Sequence, residues 1–147
     1  MPADTAPNVL VVEDDPPTAR ILTNVLHEID ASIETDVVRD GRECLAVLHG
    51  EDDTVADPDI VLLDLNLIDV DGLSVLEQWP PDSTVGRPPI IVVSGENDSQ
   101  TIVECYDLGA NTYFEKPDDL DGYLELAECI IGYWFDNAEL PSHHLEP

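Results

Sequence analysis

The chain has 147 residues, 43% of them apolar, and its 33 acidic against five basic residues leave a formal net charge of -28. That length and apolar share fit one ordinary domain with a single core and argue against a disordered chain, while acidity spread over the whole length argues against contact with nucleic acid phosphates. No apolar run reaches the roughly 18 residues that span a bilayer, and the opening MPADTAPN lacks the basic and hydrophobic parts of an export signal.

Residues 1–7 are expected to form a flexible N-terminus, followed by a first strand in NVLVVE at 8–13. Pro16 and Pro17 stand where the first turn of a helix tolerates proline. The helix itself is predicted over 18–29, with Leu22, Val25, Leu26 and Ile29 on one face. A weaker strand, SIETDVV, precedes a helix at 41–49 and an acidic loop at 50–58. DIVLLD at 59–64 and PIIVVSG at 89–95 are the other strong strands, with a helix at 73–79 between them. A helix at 98–108, the short strand NTYF and a last helix at 119–137 complete the pattern.

The strong strands are rich in Val, Ile and Leu without polar alternation, as strands covered on both faces are. Five strands alternating with five helices predict a doubly wound parallel α/β sheet with helices on both faces, forming one domain over 8–138 with a tail over 139–147. His143 and His144 belong to that tail. Cys44, Cys105 and Cys129 have no short spacing and read as reduced core thiols.

In an open parallel sheet, ligands bind beyond the carboxyl ends of the strands. The first strand ends in Glu13-Asp14-Asp15, the third in Asp64, the fourth in Ser94-Gly95 and the fifth in Glu115-Lys116-Pro117. For Asp15, Asp69 and Asp71 the plain explanation is the abundance of acids. Glu13, Asp14 and Asp64 directly follow buried strands, where crowded like charges cost energy unless a cation compensates. Mg²⁺, a hard ion that shares phosphate oxygens, suits them. Lys116 is the only lysine in the chain, and from that strand end it can pair with Asp64 or with an anion attached there. Gly95 leaves room for a phosphate-sized group.

VLVVEDDPPTAR, VLLDLNLIDVDG, IIVVSGEND and GANTYFEKP, in that order and spacing, resemble the receiver domain of two-component response regulators over residues 8–137. The resemblance implies a flavodoxin-like receiver fold with strand order 2-1-3-4-5. It makes Asp64 the phosphoacceptor, with Mg²⁺ held by Glu13, Asp14, Asp64 and the backbone carbonyl of Asn66. Ser94, Gly95 and Lys116 would bind the phosphoryl group, Ser94 and Tyr113 would form the switch, and Lys116–Pro117 is a candidate cis peptide. Asn66 and Glu96 occupy positions that tune the lifetime of the phosphorylated state. The sequence departs from the family pattern at Ile68, where proline is usual, at Ser94, where threonine is commoner, and at Glu115, expected to point away from the lysine.

These features predict a stand-alone receiver that takes its phosphoryl group from a sensor histidine kinase or phosphotransfer protein and acts on a downstream protein target. The long loop before Asp64 and GYWF in the last helix resemble receivers partnered with phytochrome-like kinases. Self-repulsion of this size would be screened in molar salt, where the Debye length is roughly 3 Å, so the chain reads as the cytoplasmic protein of a halophile. Leu120, Leu124, Ala127, Ile131 and Trp134 form one stripe of the last helix, and a second through Tyr123, Leu126, Ile130 and Tyr133 suggests a partner or a homodimer on the face of the fourth and fifth helices. Three other classes fit less well. A haloacid-dehalogenase-type phosphohydrolase needs a second aspartate where Asn66 stands, a flavin module needs a phosphate loop where EDDPP repels phosphate, and a docking module that is never phosphorylated leaves the acidic set and Lys116 without a purpose.

Overall fold

Val9, Leu10, Val11 and Val12 are each at most 1% exposed, so the first strand is covered on both faces, as its unbroken apolar run requires. The computed structural model describes residues 7–51, 57–67, 70–79 and 88–135. Within them, β1 (Asn8–Val12), β2 (Glu34–Val38), β3 (Ile60–Leu63), β4 (Ile90–Ser94) and β5 (Thr112–Glu115) form one parallel sheet in the order 2-1-3-4-5. Val11 lies opposite Val37 on one side and Leu62 on the other. Leu63 pairs with Val92, and Ser94 with Glu115.

Alternation along the strands divides the core in two. Val9, Val11, Leu62, Ile91 and Val93 pack with Leu22, Val25 and Leu26 of α1 (Pro16–Ile29) and with Tyr123, Leu126, Ala127 and Ile130 of α5 (Leu120–Ile130). Leu10, Val12, Leu63 and Val92 face the other way, against Cys44 and Val47 of α2 (Gly41–Leu48), Val75 and Leu76 of α3 (Gly72–Glu77) and Cys105 of α4 (Ser99–Asp107).

Four aspartates start helices. Asp15, Asp40, Asp71 and Asp119 each accept a first-turn backbone N–H, from Thr18, Glu43, Ser74 and Gly122 respectively. A carboxylate there satisfies an orphan donor and opposes the positive end of the helix dipole. Asp15 and Asp71 thus have a structural role as helix caps, more specific than the abundance of acids; Asp69 and Ile68 lie outside the described residues.

Two expectations are corrected. Cys44 and Cys105 are buried, but Cys129 is exposed, because it falls on the outer side of α5, between Glu128 and the inward-facing Ile130. Most of the second apolar stripe of the last helix, expected to be open to a partner, is buried within the chain. Tyr123, Leu126 and Ile130 are at most 8% exposed, and only Tyr133, in the π turn Ile131–Phe135 that continues α5, stands out at 61%. The helix is apolar over much of its circumference because it is wedged between the sheet and α1. Of the first stripe, Leu120 is 59% exposed. The predicted last helix also included residues 136–137, which with the tail histidines lie outside the described residues.

Candidate functional site

From β1 the chain crosses to β2 on one side and returns to β3 on the other, so the ends of β1 and β3 flank a topological switch point. Glu13 and Asp64 are the residues immediately beyond those two strands. Their placement is backbone-driven: the N–H of Glu13 donates to Val38 O at 3.0 Å and that of Asp64 to Val12 O at 3.0 Å. Both side chains are buried, Glu13 at 2% and Asp64 at 3% exposed. Gly72, at the start of α3, permits this arrangement. A Cβ there would lie 2.6 Å from the Asp64 carbonyl oxygen, and its N–H donates to Leu65 O at 2.9 Å.

Lys116 enters from the far side of the cleft. Its backbone N–H donates to Ser94 O at 2.8 Å at the end of β4, and its ammonium lies 3.0 Å from Glu13 Oε1 and 3.3 Å from Asp64 Oδ2. The contact with Glu13 is an ion pair in which Oε1 has no aligned hydrogen-bond partner. The other Glu13 oxygen accepts from the Asp15 N–H at 3.2 Å. The backbone after Lys116 is held by a close approach: a Cβ on Gly122 would lie 2.6 Å from the Pro117 side chain.

The Lys116–Pro117 peptide is trans, as are all peptide bonds of the described residues, which corrects the cis expectation. Trans remains the preferred state before proline by about 0.5–1 kcal/mol, and here it seats the proline ring against Gly122 while α5 starts at Leu120.

The electrostatics follow from the burial. Burial, with the adjacent Asp64 charge, pushes the Glu13 carboxyl up to about 7 even though Lys116 pulls the other way. Burial also works against the Lys116 ammonium, but its contact with Glu13 and the charges of Asp64 and Glu13 outweigh that and hold it above the ordinary lysine range.

Glu13, Asp14 and Asp64 offer carboxylate oxygens all within 4.8 Å of one another, the only such group among the described residues. The buried Oε1 of Glu13, which has an ion-pair contact but no aligned hydrogen bond, and the hard oxygen donors fit Mg²⁺. Asn66 is exposed beside them, and its N–H donates to Asp64 Oδ1 at 3.3 Å.

Ser94 is fully buried, and its hydroxyl accepts the Glu96 N–H at 3.2 Å. A Cβ on Gly95 would meet nothing within 4 Å, so the space expected beside the serine is open. Tyr113 points inward along the β4–α4 loop and donates its hydroxyl to the Glu96 carbonyl at 2.6 Å. Burial raises its phenol above the usual range. Glu115 is exposed and takes no part in the cluster. Glu13, Asp14, Asp64, Ser94 and Lys116 thus converge as the strand-end argument required. The structuring roles of Gly72 and Gly122 were missed; the DG pair at 71–72 was the signal available for the first.

A five-stranded sheet of order 2-1-3-4-5 with an acidic cluster and a lysine at its carboxyl edge defines a receiver domain. The sequence matches the response regulator receiver domain over residues 9–128, and the chain belongs to that family of two-component signalling proteins. Response regulator Rcp1 of Synechocystis sp. is 29% identical over 136 residues, covering 91% of this chain and 92% of Rcp1. The phosphorylated cyanobacterial phytochrome response regulator RcpA superposes with a TM-score of 0.86 at 33% identity, over 94% of this chain and 100% of RcpA. The Mn²⁺-bound form of Rcp1 does so with a TM-score of 0.80 at 27% identity, over 92% and 99%. Among the described residues no helix is long and apolar enough to cross a membrane.

Proposed function

We propose that this receiver accepts a phosphoryl group on Asp64 from a sensor histidine kinase or phosphotransfer protein and relays the change to a downstream protein target. The observation that carries the reading is the single lysine bridging two buried carboxylates at 3.0 and 3.3 Å. A structural ion pair needs one acid; a second buried acid that must share the same lysine is costly unless it serves a ligand.

In the reaction, an Asp64 carboxylate oxygen bonds to phosphorus as the bond from phosphorus to the donor nitrogen breaks. The donor imidazole leaves with the electron pair. Mg²⁺, held by Glu13, Asp14, Asp64 and the Asn66 carbonyl, would supply charge neutralisation at the equatorial oxygens. Lys116 neutralises the same oxygens and ceases to pair with Asp64 alone. The Ser94 hydroxyl, which accepts the Glu96 N–H, gives up that bond to donate to the new anion, and the Glu96 segment that holds Tyr113 moves with it.

Similarity to Rcp1 and RcpA over nearly their whole length supports a single-domain regulator and a phytochrome-like kinase as donor. The acidic surface supports a cytoplasm rich in salt. Self-association is retained as part of the proposal on a narrower surface than the sequence suggested, comprising Val103 and Tyr106 of α4 with Leu120 of α5. Light scattering in molar KCl tests it, and a clean monomer would remove it.

Intact mass after incubation with a small acyl phosphate and Mg²⁺ in molar KCl tests the main reading. One Mg²⁺-dependent, base-labile adduct that disappears in Asp64→Asn is expected. A folded wild-type protein without adduct would favour the docking-module alternative.

A further inference from the structure

β5 is an edge strand, paired with β4 alone. The Lys116 N–H is given to Ser94 O, so by the two-residue alternation of a strand the N–H of Phe114 faces β4 and that of Tyr113 faces out of the sheet. An outward donor on an edge is open to water or to a foreign strand. Here it is closed from within: the Tyr106 hydroxyl, on the last turn of α4, accepts the Tyr113 N–H at 3.0 Å. Tyr113 therefore makes two ties. Its side chain donates to Glu96 O at 2.6 Å, just before α4 begins, and its backbone donates to Tyr106 near the helix end.

The helix between those ties is weakly held otherwise. Cys105 is its only buried residue, Val103 and Tyr106 are 58% and 46% exposed, and Asp98 at its N-cap makes no side-chain bond to the first-turn backbone. Two hydrogen bonds from Tyr113, one to the segment before the helix and one to its last turn, then count for much of its orientation.

We infer that the Tyr106 hydroxyl is a positioning group. It pins the C-terminal end of α4 to the backbone of Tyr113, so that rotation of the Tyr113 side chain releases or engages only the N-terminal end, and α4 responds as a lever about a fixed point. This rests on the switch reading of the preceding section. It also explains why an aromatic residue with a hydroxyl stands half-exposed at a position where a shorter polar side chain would suit the surface.

Tyr106→Phe keeps the ring and removes the acceptor. Two measurements on the full ¹⁵N-labelled chain in molar KCl test the pin. The first is amide exchange: loss of one net hydrogen bond, about 1 kcal/mol, predicts roughly fivefold faster exchange at Tyr113, with Phe114 unchanged. Equal exchange at Tyr113 in the two proteins would overturn the proposal. The second uses beryllofluoride with Mg²⁺ as the phosphoryl analogue. The wild type should show its amide shifts concentrated at residues 96–102, whereas Tyr106→Phe should show them extending through 105–108, an effect that a purely structural edge cover would not produce. An identical distribution in both proteins overturns the lever. Intact mass separates this from the reading beneath it: Tyr106→Phe should acquire the Asp64 adduct as the wild type does. Absence of the adduct from both would count against the phosphoacceptor, leaving the pin to be decided by exchange.

Discussion

The Lys116 ammonium lies 3.3 Å from the Asp64 carboxylate while lying 3.0 Å from that of Glu13, so one positive charge serves two buried negative ones. The site is held short of cation and is organised to receive more.

Asp64→Asn should therefore stabilise the metal-free protein. It removes the like charge beside Glu13, keeps the side-chain shape and leaves Lys116 a partner. An increase of about 1 kcal/mol in unfolding free energy is expected by denaturant titration in EDTA at neutral pH. A loss of stability would mean that Asp64 contributes more to the fold than the shortage of cation costs.

Glu13 sets a pH dependence whose sign can be checked. Its folded carboxyl is raised from 4.5 to about 7, so the folded state binds this proton more tightly than the unfolded one. The contribution to stability is then fully present below pH 4.5 and is lost as pH rises towards about 7. Metal-free wild type should lose stability relative to Glu13→Gln across that window, on the order of 2 kcal/mol. Adding Mg²⁺ should reduce the loss, because the metal takes the proton's place. Parallel pH profiles of the two proteins without metal would refute this.

Gly72→Ala should damage the site although alanine favours helices. The new Cβ would lie 2.6 Å from the Asp64 carbonyl oxygen and 2.7 Å from the Leu65 Cα, both backbone atoms with little freedom to move. A cost of about 1–3 kcal/mol is expected from overpacking, against a propensity gain of about 0.5–1 kcal/mol. Slower Asp64 adduct formation should accompany it. Wild-type kinetics in this variant would show that the α3 start does not position the acceptor.

Salt should stabilise the whole chain. With a net charge of -28, the midpoint of thermal unfolding should rise steadily as KCl increases from about 0.1 to 2 M, most steeply at the low end where the Debye length falls from about 10 Å. A midpoint independent of KCl would count against a halophile's protein.

What the sequence determined by itself is what short-range physics writes locally. Unbroken Val/Ile/Leu runs require strands covered on both faces, and the apolar helical faces between them require helices on both sides of a parallel sheet; the ends of those strands then had to bring Glu13, Asp14, Asp64, Ser94 and Lys116 to one edge. Tertiary structure alone decided how much of each helix is covered. The last helix buries the middle of both apolar stripes because α1 lies across it, while Leu120, Tyr133 and Cys129 face outward. The Lys116–Pro117 bond is trans, with Pro117 lying against Gly122. The tie from Tyr113 to Tyr106 joins residues only seven apart, yet it had no local signature. It depends on which β5 amide the sheet leaves unpaired, and that is settled only when β4 has taken the alternate ones.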